Sequence, residues 1–250
     1  MTAPSYNEPM YLNEIKSLLS PAERAVFEKL KTPELIQNYL DALPQNFSYS
    51  RGRTLRSPRR LLQNPSAYCF EGAVFAAASL AYHGGEPLIM DLRAIDPDVD
   101  HVVAPFKRNG LWGAISKTNY PVLKWRDPVY QSIRELAMSY FHEYFLDDGS
   151  KSFKDYSLPF NLKKFPLQTW LTSSEPLEDI AVALDDAPHF PTASKAQLRK
   201  MRKASEVEIE ASDLREWVGE QRANNKNLVL KAYALLKEPQ KKHGKTKRKR

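Results

Sequence analysis

The chain has one cysteine, Cys69, and its setting suggests a nucleophile. Ser66 is suited to cap a helix, which would make Cys69 the third helical residue. Unpaired amide N–H groups and the helix dipole at such a position favour a thiolate, and the same N–H groups can hydrogen-bond an oxyanion. The competing reading is a small apolar side chain in the core, where free cysteine is common. His101, at the head of an expected strand, could take the thiol proton and return it to a leaving group. Alternatively it pairs with Asp98 or Asp100 in the turn before it.

A third position follows from hairpin geometry. Asn109-Gly110 is a strong two-residue turn signal. With that loop Phe106 pairs with Gly113 and His101 with Thr118, whereas a four-residue loop sets His101 opposite Ser116. In both registers Ser116 and Thr118 share the face of His101, because strand side chains alternate. A hydroxyl there could orient the imidazole, without the charge that a carboxylate would bring. A three-residue loop or a bulge would turn Lys117 or Asn119 to that face instead. The other histidines are less well placed: His83 at a helix end, His142 in an expected helix, His189 in a proline-flanked loop and His243 near the C-terminus.

These residues must be positioned by a definite set of elements. A helix is expected over Tyr11 to Leu19. Ser20-Pro21-Ala22-Glu23 is a capping box starting another, to about Lys31. Thr32-Pro33-Glu34 opens a third, whose stripe Leu35, Ile36, Tyr39, Leu40 and Leu43 ends before Pro44. Residues 45–63 read as a polar, basic loop with a turn at Ser57-Pro58. Ser66 to Tyr82 reads as a buried, alanine-rich helix ended by His83-Gly84-Gly85. Strands are expected at Pro87–Ile95, His101–Phe106 and Leu111–Ser116. Asp127-Pro128 looks like the cap of a long helix carrying Ile133, Leu136, Tyr140 and Tyr144. Further helices are expected near Pro176–Leu184, Lys195–Lys203, Ser212–Arg222 and Asn227–Leu236. The class is α+β, with a nucleophile helix packed on an antiparallel sheet. The expected division is an N-terminal helical segment (1–31), a core (32–160), a helical extension (161–237) packed against it, and a disordered basic tail (238–250).

Several pieces together resemble the transglutaminase-like superfamily, whose fold is that of papain-like cysteine enzymes. They are Cys69-Phe70-Glu71-Gly72-Ala73 at a helix start, Gly85-Glu86-Pro87 entering a strand, Asp100-His101-Val102-Val103, and Gly110-Leu111-Trp112-Gly113-Ala114-Ile115. More narrowly, the chain is similar to an uncharacterised group of bacterial transglutaminase-like proteins. That likeness rests also on Arg56-Ser57-Pro58-Arg59-Arg60 and Arg134-Glu135-Leu136-Ala137-Met138-Ser139-Tyr140-Phe141. The resemblance runs from about Thr32 to Tyr156. It implies Cys69 as nucleophile and His101 as general base. The third member departs from the pattern: the superfamily's aspartate position, counted from Trp112, falls on Ser116, with Asn119 as the amide alternative. Gln63 stands where papain-like enzymes place an oxyanion-hole glutamine.

The implied activity is acyl chemistry on an amide or peptide through a Cys69 thioester, by hydrolysis or transamidation, with a peptide or protein as substrate. The alternative is a non-catalytic member of the fold that binds such a partner. No metal or other cofactor is expected. One cysteine excludes an internal disulfide and a zinc ribbon. His142-Glu143 lacks the second histidine of a zinc protease, no glycine-rich phosphate loop is present, and no acidic cluster suits calcium. Glu71 is expected to pair with one of Arg51 to Arg60, although those arginines could instead meet an acidic substrate.

The composition is globular, with 42% hydrophobic and 27% charged residues. The longest apolar run, Gly72 to Tyr82, is too short to cross a membrane, and a cytoplasmic location is expected. Lys241 to Arg250 contain seven cations and no acid, which equals the net charge of +7. The body is therefore neutral, and polyanion contact, where it occurs, is expected to be nonspecific and confined to that tail.

Overall fold

The structure is a computed structural model that describes residues 8–46, 54–212 and 214–216. The expectations for Asn227–Leu236, for most of Ser212–Arg222 and for the basic tail lie outside these residues.

The N-terminal helices form where their start signals stand. They are α1 (Glu8–Leu18), α2 (Pro21–Phe27) and α3 (Pro33–Ala42). Ser20 and Glu23 exchange capping-box hydrogen bonds, and Thr32 Oγ1 accepts from the Leu35 amide. Ser57-Pro58 begins a short helix, α4 (Pro58–Gln63), within the stretch expected to be loop; Ser57 Oγ caps it at the Arg60 amide. Next come α5 (Cys69–Tyr82), β1 (Leu88–Ala94), β2 (His101–Arg108), β3 (Leu111–Ile115), β4 (Arg126–Tyr130) and α6 (Ile133–Met138). The chain continues with β5 (Phe153–Ser157), β6 (Phe160–Asn161), α7 (Leu167–Leu171), α8 (Glu178–Asp185), β7 (His189–Pro191), α9 (Lys195–Leu198) and α10 (Glu206–Ser212).

Among the described residues the sheet has seven strands in the order β4-β3-β2-β1-β5-β7, with β6 also paired to β1. Every pairing is antiparallel. The sheet is covered on both faces. On one side Ile89, Val102, Ala104, Phe106 and Ile115 pack with the buried alanines of α5 and with Leu171 and Ile180. On the other, Met90, Leu92, Val103 and Ala114 pack with Leu136, Ala137 and Tyr140 of the α6 region. Alanines let α5 lie close to the sheet. Gly72 takes this furthest: a Cβ there would overlap the Lys117 side chain.

Three expectations change. Asp127-Pro128 does not cap a long helix. It lies in β4, at the sheet edge, where a missing amide donor is tolerated. The helix starts later, capped by Ser132 Oγ on the Glu135 amide, and stops at Met138. The stretch after Phe160 is not purely helical, because β6 and β7 join the sheet. Among the described residues no helix is long and apolar enough to cross a membrane.

Candidate functional site

Cys69 is the first residue of α5, two positions nearer the helix start than expected, because Tyr68 rather than Ser66 precedes it as the cap. Ser66 is engaged elsewhere: its carbonyl and hydroxyl both accept from Arg56 Nη2. The start of α5 is instead set by Glu71. This carboxylate is fully buried and accepts from the Tyr68 amide at 3.3 Å, Arg56 Nε at 2.8 Å, Arg56 Nη2 at 3.0 Å, Asn46 Nδ2 at 3.1 Å and Thr54 Oγ1 at 2.5 Å. The expected pairing of Glu71 with a loop arginine is thus with Arg56. Arg59 is bound to Glu23 at 2.7 Å. Neither cation is free for an acidic substrate.

The thiol is held in its neutral form. Cys69 is half-buried and packs against the α5-side core. Burial pushes its pKa up to about 11, and the charges of Asp91 and Glu71 push the same way. The amides of Val102 and Phe70 favour the thiolate but do not offset these effects. The expected lowering by the helix start is therefore reversed: desolvation outweighs the dipole.

His101 opens β2 and is only 5% exposed. Burial, helped by the positive charge of Arg126, lowers its pKa to about 4, so the ring is neutral at pH 7. Its Nε2 lies 2.7 Å from Ser116 Oγ, which donates its one proton to the Leu123 carbonyl at 2.8 Å. With that proton committed, Nε2–H donates to the serine and Nδ1 carries the lone pair, a tautomer assigned from the hydrogen-bond network.

The two-residue turn is present, with φ of 51° at Asn109 and 82° at Gly110, and Phe106 pairs with Gly113. Regular pairing stops at Ala104 and Ile115, so Ser116 reaches His101 through its side chain. Thr118 Oγ1 turns back to accept from the Tyr120 amide, and the Asn119 carbonyl accepts from the Glu216 amide. Lys117 points towards α5, buried, with Nζ donating to the Leu43 carbonyl at 2.6 Å; burial lowers its pKa to about 7. Asp98 bonds the Ser152 hydroxyl, and Asp100 accepts from the Ala94 amide. Gln63 ends α4 exposed, and its side chain makes no hydrogen bond to a described residue.

Strand alternation separates the two leading residues. His101 lies with Val103, opposite Leu92, on the α6 face, beside Ser116 and near Arg126, whose guanidinium stacks 4.0 Å over the Tyr140 ring. Val102 and Ala104 face α5, and Cys69 packs on that side. The pair therefore shares one end of the sheet but occupies opposite faces of it.

On the Cys69 face stands a polar row that sequence reasoning passed over. Asp91 pairs with Val102, its amide donates to Ser157 Oγ at 2.9 Å, and Ser157 pairs with His189. The row closes on itself, since His189 Nε2 is 3.4 Å from Asp91 Oδ2 while Nδ1 lies 2.6 Å from the Ala187 carbonyl. The available signal was an aspartate inside the apolar run Leu88-Ile89-Met90-Asp91-Leu92, on a strand with no solvated face. Tyr144, whose buried phenol has no hydrogen-bond partner among the described residues, feels the charges of Asp98, Asp91 and Asp100. These groups gather at the same end of the sheet.

Among the described residues no three His, Cys, Asp or Glu side chains cluster to hold a metal. No protein-family model matches the chain, and no curated protein matches it.

Proposed function

We propose that the chain carries out cysteine-dependent acyl chemistry on an amide or peptide, through a thioester at Cys69, on a transglutaminase-like, papain-like core. One observation carries this reading. Cys69 opens the buried helix at the end of the sheet where two backbone amides favour its thiolate and where Ser116 holds the His101 ring by Nε2. In the reaction the thiolate adds to the carbonyl carbon, the amine leaves with a proton, and a thioester forms. Water then gives hydrolysis and an amine gives transamidation. Nδ1 of His101 is the ring atom left to accept the thiol proton, and Ser116 orients the ring without contributing charge.

The second reading, a non-catalytic protein that binds a peptide or protein partner, is favoured by the placement of Cys69 and His101 on opposite faces and by the neutral resting state of both groups. Intact-mass analysis after incubation with an activated ester separates the two. The acyl reading expects an adduct that is absent in Cys69→Ala, slowed in His101→Gln, and released by added amine. The binding reading expects no adduct on the native protein, with Cys69 modified only after denaturation.

A further inference from the structure

The row on the Cys69 face contains a buried ionisable pair with unusually few partners. Asp91 is 5% exposed and the side chain of His189 is 3% exposed. The Asp91–His189 approach of 3.4 Å is loose, and His189 Nε2 makes no hydrogen bond. A carboxylate so placed would cost far less as half of a neutral ion pair than alone. Asp91 also neighbours Val102, the residue whose amide favours the Cys69 thiolate.

We propose that Asp91 and His189 form an electrostatic gate on Cys69. With His189 charged, the pair is neutral and the thiolate forms more readily. With His189 neutral, the unbalanced charge of Asp91 holds the thiol protonated. The gate rests on Cys69 being the reactive centre, though not on which acyl acceptor is used.

Other charges bear on the same groups: Glu71 also raises the Cys69 thiol, and Arg93 lowers both Asp91 and His189. Arg93 on β1 is held by Asp155 of β5 and by Asp185 of α8. Glu71 on α5 is covered by Arg56. Asp100, in the turn after β1, raises Asp91 by repulsion and so works against its ionised form. Burial opposes both charges, lowering His189 and raising Asp91; the contacts of His189 with Asp91 and the Ala187 carbonyl reverse its shift and raise it overall, whereas Asp91 stays raised against the pull of His189.

The test is the rate of Cys69 alkylation by iodoacetamide in the native full-length chain, followed from pH 5.5 to 9.5. Asp91→Asn should react about threefold to tenfold faster than the unsubstituted protein at the alkaline end, because a nearby like charge has been removed. His189→Gln should react more slowly than the unsubstituted protein at the acid end. The double variant should match Asp91→Asn, because His189 acts only through Asp91. Equal rates in Asp91→Asn at every pH, or a His189→Gln effect that persists beside Asp91→Asn, would overturn the gate. If a variant does not fold, the unsubstituted protein still decides. The His189 titration seen by NMR must coincide with a downward break in the alkylation profile, and a profile without that break rejects the gate. Absence of native alkylation in every variant overturns both the gate and the acyl reading. A gated thiol that forms no acyl adduct overturns the acyl reading alone.

Discussion

At the scale of single residues, burial decides the protonation of this site. Cys69 has the helix start that sequence spacing promised, yet desolvation moves its thiol upward rather than downward. The resting protein should therefore be alkylated at pH 7.5 more slowly than an unstructured cysteine peptide; a faster rate would show that the amides of Val102 and Phe70 dominate after all. Gly72 has an equally local reason. An added methyl meets the stem of Lys117, which is anchored by its Nζ on the Leu43 carbonyl. Gly72→Ala should cost about 1–3 kcal/mol through overpacking, read from the urea midpoint at unchanged m. A neutral or stabilising result would mean that the Lys117 segment yields freely.

At the scale of elements, local signals were legible and tertiary ones were not. Asn109-Gly110 fixes its hairpin from two residues, so the register and the Ser116 face could be read directly. Asp127-Pro128 suits both a helix cap and an edge strand, and only the empty sheet edge beside β3 selects the strand. β5 and β7 are short; β5 pairs with β1 and β7 with β5 across long stretches of chain, and a register shift at Arg93/Ala94 breaks the alternation. The start of α5 shows the same limit. Ser66 has the right side chain for a cap, but Arg56 takes it, and the buried Glu71 sets the boundary from inside the helix. Glu71→Gln should then destabilise the fold by about 3–5 kcal/mol, because it leaves the Arg56 guanidinium buried without its counter-charge. Arg56→Met combined with Glu71→Met should recover much of that loss. A double variant no more stable than Glu71→Gln would show that the loss does not come from the stranded guanidinium.

At the scale of the whole molecule, the sheet separates two environments that meet only at one end. One face carries Cys69 and the Asp91–His189 pair under α5, and the other carries His101 and Ser116 under the α6 region. The resemblance in sequence ran along the chain order of cysteine, histidine and tryptophan. It could not show which face each side chain takes, because that follows from where regular pairing stops. The same burial gives the fold a pH signature. His101 titrates near 4 in the folded protein, against an ordinary value of 6.5. Its folded value is depressed, so the unfolded chain binds the proton more readily and stability falls as pH drops from about 6.5 towards 4, by roughly 3 kcal/mol if the whole shift is expressed. His101→Gln keeps a neutral side chain that can still donate to Ser116. In urea titrations at pH 7 and pH 4.5 that variant should lose less stability on acidification than the unsubstituted protein. Equal losses in both would show that the charging of a buried His101 is not what destabilises the fold in acid.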